Sequence, residues 1–276
     1  MPLFKRSDGD IVAGLDPLRR FLPFIMPTRT ESFVLCSQQV DHGPARRFLA
    51  ECNAGRDPGT EMTLFHLLLH AVARVFEERP RINRFVAGGR IQQRRGVWLS
   101  FSGKTSFDDS GTVFTRKREF VPGQSLEETV AALRGGVSEG RAGKETVADR
   151  EVHWLLRMPA PLLRLAMRGA GLLDAVGLLP RSMIEADPMY ASAFVANLGS
   201  VGIDACYHHN YEHGTIPIFI TLGRVHKAPV VTAGSGLEVG EVFELKYTYD
   251  ERIEDGFYCA GALDRLKALL EDPSGL

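Results

Sequence analysis

The sequence predicts an α/β fold, in which strands and helices alternate along the chain. Apolar and polar residues alternate over residues 242–249, which is typical of a half-buried strand, and the Ala-rich run at 257–270 is typical of a helix. Residues 64–78, LFHLLLHAVARVFEE, have strong helical periodicity and follow Thr63, a residue type that caps helices. These regions predict a sheet with helices packed against it.

Composition indicates an ordinary globular protein. The chain has 276 residues, of which 44% are hydrophobic, enough for a sizeable core. Lys and Arg number 33 against 34 Asp and Glu, so no net charge would attract nucleic acid or an acidic membrane. The opening residues lack the apolar core of a signal peptide, and no apolar run reaches about 18 residues, so we expect no membrane span.

Four cysteines lie far apart in the sequence: Cys36, Cys52, Cys206 and Cys259. Without a C-x-x-C pair they predict neither a zinc site nor a disulfide framework, and they favour a reducing cytoplasm. His66 and His70 lie four apart on the 64–78 helix, but leucines separate them and the H-E-x-x-H pattern is missing. We interpret them as helix-packing histidines, and we expect no metal site.

The N-terminal half predicts an arm followed by alternating elements. Residues 1–30 contain four prolines and mixed charge, so we expect an arm over the core with at most a short helix at 16–22. Arg94 and Arg95, between two predicted strands, are interpreted as a solvated hairpin tip. Strands are predicted at 31–40, 90–93, 96–101 and 113–121, and helices at 44–53 and after the capping box of Ser125 and Glu128.

The middle of the chain predicts a linker and a helical segment. Residues 139–149 are small, charged and glycine-containing, which predicts an exposed linker. Residues 151–179 are mostly Leu, Ala and Met, and Pro159 and Pro161 divide them into two helices. With few basic residues for a membrane surface, we expect this segment to pack against the core or a neighbouring subunit. Residues 216–225 predict a buried strand.

The turn at 250–256, DERIEDG, resembles the Asp-His-Arg-x-x-Asp-Gly signature of the chloramphenicol acetyltransferase and dihydrolipoamide acyltransferase superfamily, the catalytic cores of 2-oxoacid dehydrogenase complexes. Asp250, Arg252, Asp255 and Gly256 are in register. Glu251 takes the place of the histidine.

Two further stretches carry the resemblance, which covers about residues 20–272. Residues 190–202 resemble the family's Phe-Thr-Ile-Ser-Asn-Leu-Gly strand and turn, with Ala196 in the place of the serine. The family residues kept there are Val195, Asn197, Leu198 and Gly199. A third stretch, 80–83, resembles the end of a family helix that leads into a short strand pair, with Pro80, Ile82 and Asn83 in place.

The resemblance implies a chloramphenicol acetyltransferase-like fold, a mixed β-sheet flanked by helices, in a homotrimer or a higher assembly of trimers with sites between subunits. Residues 31–272 are then one acyltransferase-like domain. No lipoyl domain is recognised, so a lipoyl group would come from another protein. The implied substrate is coenzyme A or an acyl-CoA thioester, with binding residues Asn197, Leu198, Gly199 and Gly256.

The two departures from the family pattern bear on the chemistry. In the family the histidine removes the acceptor's proton and the serine donates a hydrogen bond to the oxyanion. Proton transfer from a thiol is uphill by roughly 3 kcal/mol to a reference histidine but about 6 to a reference glutamate. Burial of Glu251 would narrow this gap by raising its pKa. Ala196 removes an oxyanion donor, which typically costs about 100- to 1,000-fold in rate.

Two functions follow. One is a CoA-dependent acyltransferase with a rearranged site, in which a histidine of the 206–214 loop, CYHHNYEHG, acts as base beside Glu251. His208 and His209 are the candidates, and because neighbouring side chains point apart in a regular backbone, we expect at most one to serve. The alternative is a catalytically inactive trimeric binding or assembly module.

Asp255 completes the predicted catalytic set of Glu251, Asp255, His208 and His209. In the family this aspartate forms a structural ion pair with an arginine, and Arg29 and Arg252 are both candidates for its partner.

Overall fold

The computed structural model describes residues 5–106, 108–143, 145–231 and 236–276. Within them, strands and helices alternate as expected from the sequence. The strands are β1 Gly9–Ile11, β2 Phe33–Asp41, β3 Arg84–Ala87, β4 Arg90–Arg94, β5 Val97–Lys104, β6 Val113–Phe120, β7 Ala193–Asn197, β8 Ile218–Leu222, β9 His226–Val231 and β10 Leu237–Asp250.

The helices predicted at 44–53, 64–78 and 257–270 form with bounds close to those predicted. The helices are α1 Pro17–Ile25, α2 His42–Asn53, α3 Leu64–Glu78, α4 Leu126–Arg141, α5 Val147–Leu155, α6 Ala160–Val176, α7 Arg181–Ala186 and α8 Gly256–Glu271. Short 3-10 helices form at Pro80–Asn83, Gly199–Val201 and Pro273–Gly275. Thr63 caps α3, and Ser125 with Glu128 forms the predicted capping box of α4. None of the described helices is long and apolar enough to cross a membrane.

The main sheet is mixed and has seven strands, in the order β2-β10-β8-β7-β5-β6, with β9 paired to β10 beside that path. β7 runs parallel to both β5 and β8, and the other pairings are antiparallel. β10 is the longest strand and pairs with β2, β8 and β9. Its alternating residues Phe243, Leu245 and Tyr247 are fully buried, which confirms the strand predicted there.

Helices α2, α3, α4 and α8 cover one face of this sheet. Their apolar side chains join those of the strands in one large core, which includes Leu67 and Leu68 of α3. The opposite face carries a smaller apolar cluster centred on Phe194, Ala196 and Phe219. His70 is buried and its Nδ1 lies 2.9 Å from the hydroxyl of Thr129, and His66 caps its own helix. The interpretation as a helix-packing histidine is therefore confirmed for His70, whereas His66 caps the helix start instead.

A second sheet, β1-β4-β3, forms beside the first. β3 and β4 are a hairpin whose two turn residues, Gly88 and Gly89, have φ of +58° and +68°, a conformation that favours glycine. The pairing of β1 with β4 was not predicted, and it changes the environment of Arg94.

The interpretation of Arg94 as solvated is wrong. Its side chain is 1% exposed, lies 3.6 Å from Asp8 and donates to the carbonyl and hydroxyl of Thr215. β4 and β5 belong to different sheets, so no hairpin tip exists between them. Arg95 is exposed and pairs with Asp10. The N-terminal arm supplies both aspartates, and no local sequence pattern around Arg94 indicates its approach.

Two expectations for the middle of the chain need correction. The predicted linker 139–149 is largely taken up by the end of α4 and the start of α5, which Thr146 caps. Residues 151–179 do form two helical pieces separated at Pro159, but α6 buries none of its residues within the chain. Of the two expected partners, the chain's own core is thus excluded for α6, and packing against a neighbouring subunit stays a prediction.

Candidate active site

The turn after β10 is fixed by an ion pair between Asp250 and Arg252. Arg252 donates from Nε to Oδ1 of Asp250 over 2.8 Å and from Nη2 to Oδ2 over 2.7 Å. Its Nη1 donates to the carbonyl oxygen of Met26 over 2.8 Å. Both side chains are buried. Asp250 and Arg252, which both match the family signature, therefore have a structural role: they hold the backbone of the turn.

Glu251 occupies the histidine position and is partly exposed. Its backbone N–H donates to the carbonyl of Ser32 over 2.9 Å, and its carbonyl accepts from Nη1 of Arg19 over 3.2 Å. Its carboxylate has no hydrogen-bond or ion-pair partner in the described part of the chain. The backbone of Glu251 is thus held on two sides while its acidic group remains available.

Asp255 is a helix cap. Its Oδ1 accepts the backbone N–H of Tyr258 over 2.8 Å at the start of α8, and this hydrogen bond lowers the pKa of the carboxyl. The expected ion pair with Arg252 or Arg29 is wrong, because Arg252 is occupied by Asp250 and Arg29 donates to the carbonyls of Tyr211 and Glu212. The aspartate therefore positions the helix rather than an arginine.

Glu254 is a site residue that sequence reasoning missed. Its side chain is buried, and its Oε2 accepts from Nη1 of Arg84 over 2.6 Å and lies 3.3 Å from Nη1 of Arg81. A third arginine, Arg19, approaches its other oxygen to 3.9 Å. The three arginines come from distant parts of the sequence, so no spacing in the turn itself reveals the cluster.

The end of strand β7 presents neighbouring residues to opposite sides of the sheet, as the pleat requires. Ala196, in the place of the family serine, packs in the small cluster with Phe194 and Phe219. Asn197 faces the other side, where its Oδ1 accepts from the backbone N–H of Ser200 and shapes the following turn. The end of β7 thus places Ala196 on one face of the sheet and Asn197 on the other.

His208 and His209 lie on the Ala196 side of the sheet. The ring of His208 stacks on Phe219, with centroids 4.0 Å apart, and His209 stacks on His208 at 4.6 Å. The expectation that the two imidazoles point apart is wrong, because the loop is irregular and the alternation of a regular strand does not apply. Two imidazoles and Ala196 therefore share one face.

His213 lies apart from this pair and has a carboxylate partner. Its Nε2 is 2.6 Å from Oδ2 of Asp187, and this hydrogen bond raises the pKa of the imidazole. The ring also makes an edge contact with Tyr190. No contact joins Glu251 to any of the three loop histidines in the ranges that the structure covers. The proposed assistance from Glu251 thus has no support from a direct contact.

The Asn197 side of the strand end opens into a cavity of about 740 Å³, which we call the turn cavity. Asn197 and Leu198, two of the four predicted binding residues, line it with Ser200 and Val201. Its other walls come from the start of α3, the ends of β5 and β6, and α4. These contribute Thr63, Phe65, His66, Phe101, Lys104, Val113, Phe114 and Arg134, among others.

The turn cavity combines aromatic walls with fixed positive charge. Lys104 donates to the carbonyl of Asp108, and Arg134 to the carbonyl of Thr60, and neither cation has a carboxylate partner in the part of the chain that the structure describes. Burial, with the nearby Arg134, lowers the pKa of His66 to about 4, so this histidine is neutral near pH 7. Glu61 is the acidic lining residue. The cavity suits an anionic ligand with apolar or aromatic parts.

Gly199 and Gly256, the other predicted binding residues, do not line the turn cavity as the structure describes it. A Cβ on Gly199 would meet the carbonyl oxygen of Gly223 at 2.6 Å, so glycine lets the two backbones approach. Gly256 is the first residue of α8, where a Cβ would meet only the hydroxyl of Tyr249 at 3.9 Å.

Comparisons with known proteins agree with this architecture. Residues 185–276 match the family model described as 2-oxoacid dehydrogenases acyltransferase (catalytic domain). The chain is 25% identical over 217 residues to the lipoamide acyltransferase component of the branched-chain alpha-keto acid dehydrogenase complex of Bacillus subtilis (strain 168). The match covers 77% of this chain and 40% of that protein, so the chain spans about two fifths of the length of the curated relative it matches.

Solved structures with the same fold include a probable dihydrolipoamide acetyltransferase from Listeria monocytogenes 4b F2365. Its TM-score is 0.63 at 17% identity, over 95% of this chain and 94% of that one. A chloramphenicol acetyltransferase has a TM-score of 0.57 at 12% identity, over 95% of this chain and 99% of that one. The predicted fold and the resemblance that implied it are confirmed, while the roles of individual site residues stay predictions.

Proposed function

We propose that this chain, which has the fold of the dihydrolipoamide acyltransferase cores and of chloramphenicol acetyltransferase, binds a coenzyme A thioester in the turn cavity. One observation carries the proposal: the turn that the sequence match assigns to cofactor binding forms a wall of the turn cavity. Asn197 and Leu198 line it together with Lys104 and Arg134, two cations that have no carboxylate partner among the described residues.

The chemistry of the cavity fits that ligand. Coenzyme A carries phosphates, an aromatic base and a long arm that ends in the thioester. Phosphates are bound by lysine and arginine, and bases stack on aromatic rings such as Phe65 and Phe114. A neutral His66 adds a polar group without further charge. The ligand's long arm places its acyl end well away from its nucleotide, so binding alone does not locate the reacting atoms.

For acyl transfer, we propose a rearranged site on the opposite side of the strand end. His208 and His209 are stacked on the face that also carries Ala196, the position of the family's oxyanion donor. An imidazole is the side chain that most often accepts a proton in general base catalysis. Glu251 keeps a free carboxylate and would act by its charge, since the structure shows no contact between it and these rings within the described residues.

That same lack of contact favours a second candidate, a non-catalytic binding or assembly module. Glu251 replaces the imidazole, Ala196 cannot donate a hydrogen bond, and the backbone of the turn is nevertheless held by Asp250 and Arg252. Under this candidate the scaffold of the site is kept for thioester binding or for contacts between subunits. We propose for both candidates a homotrimer or an assembly of trimers.

Calorimetric titration with coenzyme A and acetyl-CoA tests the binding step. We expect Lys104→Gln and Arg134→Gln each to weaken binding about tenfold or more, since each removes a charged contact to phosphate. Lys227→Gln, an exposed lysine on β9, is the matched control and should bind as the unaltered protein does. Equal affinity in all four proteins would refute binding in the turn cavity.

Release of free thiol from acetyl-CoA, over a panel of thiol and hydroxyl acceptors, separates the two candidates. The rearranged transferase requires turnover that His208→Ala or His209→Ala abolishes. The non-catalytic module requires no turnover, with ligand binding and oligomeric state unchanged by Glu251→Ala. Light scattering of the purified protein checks the trimer, and a monomer would contradict the assembly role.

A further inference from the structure

A second cavity, of about 290 Å³, lies beside the turn that carries Glu251, and we call it the arginine cavity. Arg29 and Arg252 reach it from the N-terminal arm and from the turn. Tyr190, His213 and the backbone of the β3–β4 hairpin form other parts of its wall. None of these residues lines the turn cavity, so the two cavities are separate.

Arg29 is the group that gives the arginine cavity its chemistry. The residue is 7% exposed, and its Nη1 donates to the carbonyl oxygens of Glu212 and Tyr211 over 2.7 and 3.3 Å. Across the described residues, no carboxylate lies within 4 Å of its guanidinium, and its Nε and Nη2 have no acceptor. A guanidinium stays charged in proteins, so this is a buried cation held by neutral oxygens alone.

The other charged side chains around the cavity already have partners. Arg252 is paired with Asp250 through two hydrogen bonds, and Asp174 is paired with Arg6 at 2.6 Å. Glu212 accepts hydrogen bonds from the backbone N–H groups of Arg29 and Thr30 and from the hydroxyl of Thr30.

His213 is hydrogen-bonded to Asp187. The acidic groups near Arg29 therefore already form hydrogen bonds or ion pairs with other donors. Leaving a buried charge without a counter-ion is unfavourable, and an anion from solution would relieve it.

The shape and walls of the cavity limit the size of that anion. About 290 Å³ is roughly ten times the volume of a water molecule in the liquid, which suits a ligand of a few non-hydrogen atoms. Polar groups form most of the cavity surface, and an apolar strip of wall is formed by Pro23, Pro27, Val86, Ala87 and Ala175. An ion that is fully polar, such as phosphate, would make no apolar contact with this part of the wall.

We propose that the arginine cavity binds a small monocarboxylate with a short apolar chain, and that Arg29 holds its carboxylate through Nε and Nη2. This side edge of a guanidinium presents two parallel N–H groups, which match the two oxygens of a carboxylate. The short chain lies against the apolar walls. The site is independent of thioester binding, since it shares no lining residue with the turn cavity.

Propanoate is the probe, titrated calorimetrically against chloride at constant ionic strength. We expect a Kd on the order of 1 mM, the range that five non-hydrogen atoms reach in one site. Arg29→Gln should weaken propanoate binding by about tenfold to a hundredfold, the loss that accompanies removal of a charged hydrogen-bonding group. Arg224→Gln removes the same charge from an exposed pair with Asp204 and should leave the affinity unchanged.

A second pair of variants, which changes the free volume of the cavity, tests the proposal even if Arg29→Gln unfolds the protein. Gly171 of α6 lines the arginine cavity, and a Cβ there meets no atom within 4 Å. Gly171→Leu should therefore fill part of the cavity without disturbing a hydrogen bond and weaken propanoate binding about tenfold or more. Gly169→Leu, on the same helix and equally unobstructed but outside the lining, is its control and should bind normally.

Three outcomes would overturn the assignment. The first is the absence of propanoate binding up to about 50 mM, far above the expected Kd of order 1 mM. The second is an affinity that neither Arg29→Gln nor Gly171→Leu changes relative to its control. The third is tighter binding of inorganic phosphate than of propanoate, which would show that the apolar walls take no part. These titrations contain no coenzyme A, so their outcome does not depend on whether the turn cavity binds a thioester.

Discussion

Arg252 and Asp250 form a buried ion pair of two hydrogen bonds, 2.8 and 2.7 Å long, across a separation of two residues in the sequence. The pair closes the turn that carries Glu251, and the third donor of Arg252 ties that turn to Met26 of the N-terminal arm. The position of Glu251 therefore depends on its two neighbours more than on its own side chain.

We predict that Arg252→Ala destabilises the protein by about 3–5 kcal/mol, because it leaves the carboxylate of Asp250 buried without its partner. Arg265→Ala is the control, since Arg265 and Glu78 form an exposed pair whose loss should cost about 0–1 kcal/mol. The measurement is the free energy of unfolding in urea. A cost for Arg252→Ala no larger than that of the control would show that the turn is held in another way.

We predict a pH-dependent contribution from His213. Its hydrogen bond to Asp187 raises the folded-state pKa above the ordinary 6.5, so the stabilisation is fully present below pH 6.5. It is lost as the pH rises through the folded-state pKa. The difference in unfolding free energy between the unaltered protein and His213→Gln should therefore be largest near pH 5.5 and shrink by pH 8.5.

The control for this prediction is His226→Gln, since the ring of His226 faces the carbonyl of Arg224 rather than a carboxylate. Its stability difference from the unaltered protein should change less between the two pH values. A His213→Gln difference that is constant with pH would contradict the stabilising role of the ion pair.

We predict that the two glycines of the β3–β4 turn differ in their tolerance to substitution. A Cβ on Gly88 would lie 2.0 Å from the carbonyl oxygen of Ala175 in α6, whereas one on Gly89 meets only the edge of Phe24 at 3.2 Å. Both have positive φ, which costs about 1–2 kcal/mol for alanine. Gly88→Ala should lower the free energy of unfolding by roughly a further 1–3 kcal/mol. Similar melting temperatures for the two variants would argue against close contact between the hairpin and α6.

We predict that Glu251→His combined with Ala196→Ser increases thiol release from acetyl-CoA. The imidazole removes about 3 kcal/mol of unfavourable proton transfer, worth roughly two orders of magnitude, and the hydroxyl restores an oxyanion donor worth about 100-fold or more. Glu251→Gln with Ala196→Ser carries the same hydroxyl without a base and is the control. Turnover in the first variant no faster than in the second would mean that the turn no longer faces a usable channel.

Much of the fold could be predicted because its signals are local. The alternation along β10 marks Phe243, Leu245 and Tyr247 as buried, and Thr63 and Ser125 mark the starts of helices. The three stretches that match the acyltransferase cores implied a mixed sheet flanked by helices, which local patterns do not specify.

The parts that could not be predicted depend on distant residues. Arg94 is buried because the arm brings Asp8 to it, and Glu254 is surrounded by arginines from three other segments. The stacking of His208 on Phe219 requires an irregular loop to cross a strand that follows it. α6 has the composition of a packed helix, yet it lies outside the chain's own core.

The pairing of β2 with β10 has a consequence for synthesis of the protein. β2 lies near the start of the chain and β10 near its end, and they share the register from Phe33 with Asp250 to Asp41 with Val242. While the ribosome is still making the intervening segments, β2 has no strand to accept its hydrogen bonds, and such an edge readily joins another chain. During folding, β2 therefore stays an unpaired edge until β10 joins it.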